Sequence, residues 1–559
     1  MCYNFYIRYL LIIIMKIEVR SAVADILKQE NIEYTFGYTG GHISHLYQSV
    51  YDVGIKIILN RQEGNAAYMA DGYARITKKP AVVLATAGPG ATNMVTGLSS
   101  ALMDSIPMVA ICATAPTSTF GRNAVQDGSG RGRNPEQKAM FKACCKQAML
   151  APSPEAIPDM VREAFRIAIS GRPGPVYVEI PSDFWNVEIE YESVEENKYK
   201  NTVLPGCNLV ESEAIEEMLY KSKHPLIVIG EGADEEGIRE KLSKLLSATK
   251  IPFAVSPIAK NYVDEHDELC LGSMRSEGND KRAHEYMRRS DFILFLGDRM
   301  HHWEMDWHDK TLVENAKLAQ VDSDYDEIGR VFPVDLSVVG SISSFIDLIN
   351  KKKHKNSKEL QKEAVKLNSD VSRERRYKDG DGINPFNINN IVEEEMARDG
   401  SVICDTGYNK LMAIMKFRTN LFQNFIVADK NGPMGYSVPA SLGVALATDK
   451  EVICFVGDGG FQMSLNELGT AMEYGLKVIY IIENNEGCSM IKSVNESRYN
   501  RTCADSFNNP DFIKIAEGYK LEGCRVETIE EFEKIFKKAQ KSDRSVVIDA
   551  KIDQSAMTW

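Results

Sequence analysis

Asp458 and Asn485 are the residues of this chain best suited to hold a hard divalent cation. Asp458 sits in Gly457-Asp458-Gly459-Gly460-Phe461, and Asn485 closes the pair Asn484-Asn485, 27 positions further on. A carboxylate, an amide oxygen and a nearby backbone carbonyl suit a cation that keeps phosphate oxygens as its other ligands. Gly459 and Gly460 leave those phosphates room to approach the backbone. The flanking sequence supplies the elements that must position the pair. Glu451-Val452-Ile453-Cys454-Phe455-Val456 predicts a buried strand delivering Asp458 to its carboxyl end. A helix is expected from Ser464 to Tyr474, and Val478-Ile479-Tyr480-Ile481-Ile482 predicts a second strand delivering Asn485 to the same edge. Open α/β sheets place their ligands at that edge. A glycine turn alone is common; the second strand ending in Asn-Asn at this distance makes the pattern specific.

The stretch resembles the diphosphate-binding motif of thiamine diphosphate (ThDP) enzymes, and the amino-terminal part resembles the same family independently. The segment from Arg61-Gln62-Glu63-Gly64-Asn65 to Asp71-Gly72-Tyr73-Ala74-Arg75 is similar to the one carrying that family's cofactor-activating glutamate. Thr86-Ala87-Gly88-Pro89-Gly90-Ala91-Thr92-Asn93 and Asp104-Ser105-Ile106-Pro107 follow it. Ser170-Gly171-Arg172-Pro173-Gly174-Pro175 leads into Val176-Tyr177-Val178-Glu179-Ile180-Pro181, which closes the first domain as it does in acetolactate synthases.

The resemblance implies ThDP and Mg²⁺ as cofactors and assigns roles residue by residue. Glu63 would serve the ring nitrogen N1′ of the aminopyrimidine, from an apolar pocket that favours a protonated carboxyl. Asn431-Gly432-Pro433-Met434-Gly435-Tyr436 resembles the loop that holds the cofactor bent, with the Gly432 carbonyl at N4′ and Met434 wedged between the two rings. Asp405-Thr406-Gly407-Tyr408-Asn409 is similar to a diphosphate-contacting turn. Pro89, Asn93, Gly407, Asn409, Gly459 and Gly460 complete the implied cofactor contacts. Asp458, Asn485 and the Gly487 carbonyl form the implied metal set, and Gln126 faces the substrate side. In the family Glu63 and Asp458 serve one cofactor from different subunits, so a homodimer or homotetramer with its active site at a dimer interface is implied. A regulatory small subunit is compatible with the resemblance.

Several positions depart from the family pattern. Gln62 stands where acetolactate synthases usually have His, Val125-Gln126-Asp127 replaces Phe-Gln-Glu, and Val494 replaces a tryptophan that helps choose the second keto acid. The carboxyl terminus, ending Gln554-Ser555-Ala556-Met557-Thr558-Trp559, is shorter than the family's closing tail. Gly128-Ser129-Gly130-Arg131-Gly132-Arg133-Asn134 is an insertion directly after Gln126, followed by Lys138, Lys142 and Lys146. It reads either as a flexible solvated loop or as an anion clamp for a substrate with a second acidic group, since arginine forks suit carboxylate, sulfonate or phosphate. The run from His301 to Asp309 holds three of the nine histidines and two of the four tryptophans. Its spacing fits no standard zinc pattern. Ser273-Met274-Arg275 departs from the flavin-contacting sequence of relatives, so FAD is left open.

Bulk properties are those of an ordinary globular enzyme. The chain has 559 residues, 44% hydrophobic and 26% charged, with net charge −13, which argues against a nucleic-acid surface. Its 11 cysteines are scattered without a C-x-x-C pair, as expected of reduced cytoplasmic thiols. The apolar run Phe5–Met15 is too short to span a bilayer and no small-residue cleavage site follows, so translation from Met15 and a cytoplasmic, membrane-free protein are expected.

Alternating strand and helix patterns predict an α/β protein with three doubly wound parallel-sheet domains (15–190, 205–350 and 383–559), and the resemblance implies that these are, in order, the pyrimidine-binding, central Rossmann-like and diphosphate-binding domains. The stretch from Glu188 to Lys200 reads as an acidic linker, and the charged segment beginning at Lys351 as a solvated linker, helical in part. The expected activity is decarboxylation of a 2-oxo acid with carboligation to a carbonyl acceptor, as in branched-chain amino acid biosynthesis. A non-ligating decarboxylase, an FAD-coupled oxidase of the pyruvate oxidase type and a catalytically silent ThDP-binding subunit are the alternatives. Joint retention of Glu63, Met434, Asp458 and Asn485 argues against the last.

Overall fold

The structure, a computed structural model, describes residues 14–200, 204–274, 281–370 and 377–553. The apolar run before residue 14, Arg275 and the terminal residues 554–559 lie outside the described residues. The chain divides into two compact units, one built from residues up to 74 and from 78 to 202, the other from 75–77 and everything from 203 onward.

Among the described residues of the first unit eight strands follow in order: β1 (Ile14–Glu18), β2 (Tyr34–Tyr38), β3 (Lys56–Leu59), β4 (Ala81–Ala85), β5 (Met108–Thr114), β6 (Gln147–Leu150), β7 (Pro175–Pro181) and β8 (Glu188–Glu192). Six form a parallel sheet in the order β3-β2-β4-β5-β7-β6. Every residue of β4, β5 and β7 is buried, as strands covered by helices on both faces require. The helix Ile157–Ile169 lays Val161, Ala164, Phe165 and Ala168 against the sheet, the spacing of one helical face.

The expected linker after Glu188 is in part a strand. β8 pairs antiparallel with β1, and its alternation Glu188-Ile189-Glu190-Tyr191-Glu192 buries Ile189 and Tyr191 while the glutamates face water. The period of two was in the sequence; the three acidic side chains disguised it.

The second unit holds two further six-stranded parallel sheets. The central sheet comprises β9 (Pro225–Ile229), β10 (Phe253–Val255), β11 (Cys270–Ser273), β12 (Phe292–Leu296), β13 (Lys317–Asp322) and β14 (Leu336–Val339), in the order β11-β10-β9-β12-β13-β14. The last sheet comprises β15 (Ser401–Cys404), β16 (Asn424–Val427), β17 (Val452–Gly457), β18 (Ile479–Asn484), β19 (Glu522–Val526) and β20 (Val546–Lys551), in the order β16-β15-β17-β18-β20-β19. All three sheets are doubly wound, so each has a point where the chain reverses its direction of growth: between β2 and β4, between β9 and β12, and between β15 and β17. Ligands of such sheets bind at the carboxyl ends of the strands flanking that point.

The charged segment after Lys351 is also more than a solvated linker. Its helix Ser357–Asp370 buries Leu360, Ala364 and Leu367, and the last two join the apolar core of the central sheet. Spacings of four and three residues put them on one face.

Candidate cofactor site

The two halves of the expected site lie in different units and are built independently. In the second unit β17 and β18 pair with Val456 opposite Ile482 and Gly457 opposite Glu483, so Asp458 and the Asn484-Asn485 pair emerge at one edge. The helix after β17 starts at Asp458, not at Ser464, and a 3₁₀ turn at Leu465–Glu467 separates it from the helix Leu468–Tyr474.

Asp458 is 1% exposed. Its Oδ1 accepts from the Gly459 amide at 2.8 Å, and its Oδ2 accepts from Asn509 Nδ2 at 2.7 Å and from the Gly487 amide at 3.3 Å. Asn509 also donates to Asn484 Oδ1 at 2.8 Å, and Asn484 donates to Asp549 Oδ1 at 2.8 Å. Burial pushes the Asp458 carboxyl above its ordinary value, with Asn509 and the neighbouring backbone amides pulling it back. Its hydrogen-bond donors among the described residues are thus uncharged amides, and a buried carboxylate so surrounded is stabilised by a cation. The donor set fits Mg²⁺, with Asn485 carried on the segment whose next two amides close around Asp458.

The glycines leave a cradle. A Cβ on Gly487 would come within 2.3 Å of the Asp505 carbonyl oxygen, and one on Gly460 within 2.7 Å of Asp405 Oδ1. A Cβ on Gly459 would meet Met434 Cε at 3.2 Å and Phe507 Cζ at 3.3 Å, so the Met434 side chain overhangs the glycine turn. Asp405, fully buried just beyond β15, accepts from the Gly435 amide at 3.0 Å and the Ser437 amide at 2.9 Å, fastening the Asn431–Tyr436 loop. Gly432 and Gly435 adopt φ of +58° and +79°, the left-handed region that glycine enters most readily. Asn409, expected at the diphosphate, donates to the Phe455 carbonyl at 3.2 Å, while Gly407 beside it takes φ of +135°.

In the first unit Glu63 opens the helix Glu63–Thr77, whose cap is Gln62: the Gln62 side chain accepts from the Asn65 amide at 2.9 Å. Asn93 Nδ2 donates to Glu63 Oε2 at 2.9 Å, and a Cβ on Gly90 would lie 3.2 Å from Glu63 Oε1. Glu63 is half-buried and Pro89 and Asn93 are exposed, so the single chain does not supply the apolar pocket expected around this carboxylate.

Gln126 takes φ of +59° next to Gly88, whose own φ is +65°, and a Cβ on Gly88 would stand 3.0 Å from that of Gln126. Beneath them the Gly88 amide donates to the buried Gln137 Oε1 at 2.6 Å. Gln137 Nε2 donates to the Tyr177 hydroxyl at 3.1 Å, and Tyr177 donates to Glu179 Oε2 at 3.4 Å. Burial pushes the Glu179 carboxyl up to about 7. A carboxyl raised on folding adds stability fully below its unfolded value and loses it as pH rises through the folded one. Glu179→Gln should therefore flatten the fall of stability from pH 4.5 to about 7, where each tenfold difference in proton affinity between the folded and unfolded chain is worth about 1.4 kcal/mol. Chemical unfolding of both proteins at several pH values checks this; identical slopes would refute it.

The Gly128–Asn134 segment after Gln126 lies in a hairpin closed by an antiparallel bridge between Ser129 and Glu136. Asp127, 3% exposed, accepts from the Gly121 and Ser129 amides at 2.8 and 2.9 Å and from Asn134 Nδ2 at 2.8 Å. Arg131 and Arg133 are exposed at its tip. Among the described residues, the His301–Asp309 run included, no group of three or more His, Cys, Asp or Glu side chains is arranged to hold a metal ion.

The family of "Thiamine pyrophosphate enzyme" domains matches the chain three times: the N-terminal TPP binding domain at residues 17–131, the central domain at 212–349 and the C-terminal TPP binding domain at 405–550. The probable acetolactate synthase large subunit of Methanococcus aeolicus is 32% identical over 96% of this chain and 92% of its own length. The chain belongs to the thiamine pyrophosphate enzyme family. The acetolactate synthase large subunit of Haemophilus influenzae is 31% identical over 97% of this chain and 95% of its own, and the isozyme 2 large subunit of Escherichia coli is 28% identical over 96% of each.

For a thiamine pyrophosphate enzyme, two groups at the diphosphate half escape sequence reading. Asn509, which holds both Asp458 and Asn484, lies in no motif and is brought in from the chain that follows the helix Ser489–Tyr499. Asp405, at the start of the turn expected to touch the diphosphate, uses its own carboxylate to order the Met434 loop.

Proposed function

We propose that this chain is a ThDP- and Mg²⁺-dependent enzyme that decarboxylates a 2-oxo acid and transfers the remaining acyl unit to a carbonyl acceptor. The observation that carries the reading is the convergence at one sheet edge of the Asp458 cradle, the Gly487 turn and the Met434 loop. Asp458, Asn485 and the Gly487 carbonyl would hold Mg²⁺, and Gly459, Gly460 and Gly407 would admit the diphosphate. Gly432 and Met434 would hold the aminopyrimidine, with Glu63 of a second copy placing a proton at N1′. The half-buried state of Glu63 in the single chain supports a pocket completed by that copy, hence a homo-oligomer. When bound, ThDP supplies a nucleophilic thiazolium carbon and an electron sink for decarboxylation. The chain's scattered free thiols support a cytoplasmic enzyme. Among the described residues no helix is long and apolar enough to cross a membrane.

The test is incubation with a panel of 2-oxo acids, ThDP and Mg²⁺, following CO₂ and identifying products. Ligated products support the reading. Free aldehyde alone would assign a simple decarboxylase, and no CO₂ from any acid would refute it.

The ordered hairpin favours a substrate with a second anionic group. A loop pinned by Asp127 presents Arg131 and Arg133 without the entropy cost of a floppy one. Each charge-assisted hydrogen bond to a carboxylate, sulfonate or phosphonate, once shielded from water, contributes about 1.5–3 kcal/mol. Dicarboxylic, sulfonated or phosphonylated 2-oxo acids should outperform pyruvate. Replacing both arginines by alanine should raise KM for the anionic substrate and leave pyruvate turnover unchanged. Equal effects on both would make the loop structural, and a wild-type preference for pyruvate would remove the idea.

A further inference from the structure

The central sheet reverses its order between β9 and β12, and the crevice at that point is where a doubly wound sheet takes a dinucleotide. In this chain the crevice is filled by the chain itself. A Cβ on Gly230, just after β9, would come within 2.3 Å of Asp298 Cα, and one on Gly297, just after β12, within 2.4 Å of the Ala233 nitrogen. The two loops pack backbone against backbone where a diphosphate would need them apart.

Charge completes the seal. The Glu231 side chain, 2% exposed, meets Arg299 Nε at 2.8 Å, and Arg299 lies 3.6 Å from Glu327. Glu304, from the His301–Asp309 run, accepts from Lys430 Nζ at 2.7 Å, and Lys430 also lies 3.9 Å from Glu231. Glu231, Asp298, Glu304 and Glu327 are all buried here. An incoming diphosphate would meet this acidic group and find both cations already engaged, which costs like-charge repulsion and desolvation. Burial opposes the charge on Lys430, but Glu231 and Glu304 outweigh it and hold the ammonium protonated.

Lys430 belongs to the last sheet's side of the unit, directly before Asn431-Gly432-Pro433-Met434. Its neighbour Asp429 lies 3.4 Å from Lys410 Nζ, so the root of the loop is gripped on two sides. We propose that this cluster takes the place of a dinucleotide at the central switch point, and that Lys430 is the positioning residue through which it sets the Gly432–Met434 loop. The positioning half rests on the function proposed above; the flavin half does not.

The full chain, loaded with ThDP and Mg²⁺, is titrated with FAD while flavin absorbance and fluorescence are followed. No saturable binding is expected. One flavin per chain, whether retained through purification or bound on titration, overturns the replacement. Lys430→Met is then compared with wild type for kcat, KM, ThDP affinity, melting temperature and the circular dichroism of the bound aminopyrimidine. The expected result is a fall in kcat of roughly tenfold or more, KM within about threefold, and an altered dichroism band. A lower melting temperature with kcat, ThDP affinity and dichroism all at wild-type levels would make the pair merely structural and overturn the positioning role. Should Lys430→Met fail to fold, Glu304→Gln, which keeps the side-chain volume, carries the same comparison with the same two outcomes. Wild type that binds no ThDP in calorimetry would refute the proposed function instead, and the flavin result would stand by itself.

Discussion

Asp458→Ala protein will bind ThDP no more tightly with Mg²⁺ present than without it. Asp458 offers the sole carboxylate of the proposed set, and Asn485 and the Gly487 carbonyl are neutral oxygens that bind a hard cation weakly by themselves. Without the bridging ion the diphosphate's charge faces only backbone dipoles, so affinity should fall roughly a hundredfold or more. Folding should respond in the opposite sense. The wild-type apo protein buries a carboxylate whose hydrogen-bond donors among the described residues are neutral amides, a costly arrangement. Alanine removes that cost while leaving Asn509 still bonded to Asn484 and Gln462. The apo variant should therefore melt no lower than wild-type apo protein, while ThDP and Mg²⁺ together should no longer raise its melting temperature. Calorimetry showing unchanged Mg²⁺-dependent affinity would refute the assignment. A variant that melts far lower without ligand would show that Asp458 is structural.

What could be read from the sequence follows a physical division. Asp458, Asn485 and the strands that carry them were legible because strand, turn and ligand are contiguous, so local pattern determines where each oxygen emerges. The three doubly wound sheets were legible because strands buried on both faces, such as β5 and β17, are continuous apolar runs. Asn509, Asp405 and Lys430 act through partners 25 to 199 positions away, and no local periodicity encodes such a meeting. β8 and the helix Ser357–Asp370 failed for another reason. Their periods of two and of three to four were present, but dense charge on the solvent face outweighed the few apolar residues. The half-buried environment of Glu63 belongs to a third class: under the proposed function its pocket would be completed by a second copy, and no pattern within one chain encodes that.

Glu63→Gln protein should fold and bind ThDP nearly as wild type does, yet turn over roughly a hundredfold to ten-thousandfold more slowly. Glutamine keeps the length of the side chain and an oxygen that can still accept from Asn93 Nδ2, whose hydrogen bond to Glu63 Oε2 spans 2.9 Å. Gly90 sits against the other carboxyl oxygen with no side chain to displace, so the variant's amide fits the same space. The helix cap is also untouched, because Gln62 and not Glu63 accepts from the Asn65 amide. On the proposed function, the substitution would remove the ability to give and take a proton at N1′, a loss that ground-state binding does not register. KM for the 2-oxo acid should thus change little while kcat falls, which marks an interaction made chiefly in the transition state. Deuterium exchange at the cofactor's C2 carbon separates this role from mere positioning. A variant that exchanges at the wild-type rate would place Glu63 outside the proton relay, whatever its effect on kcat.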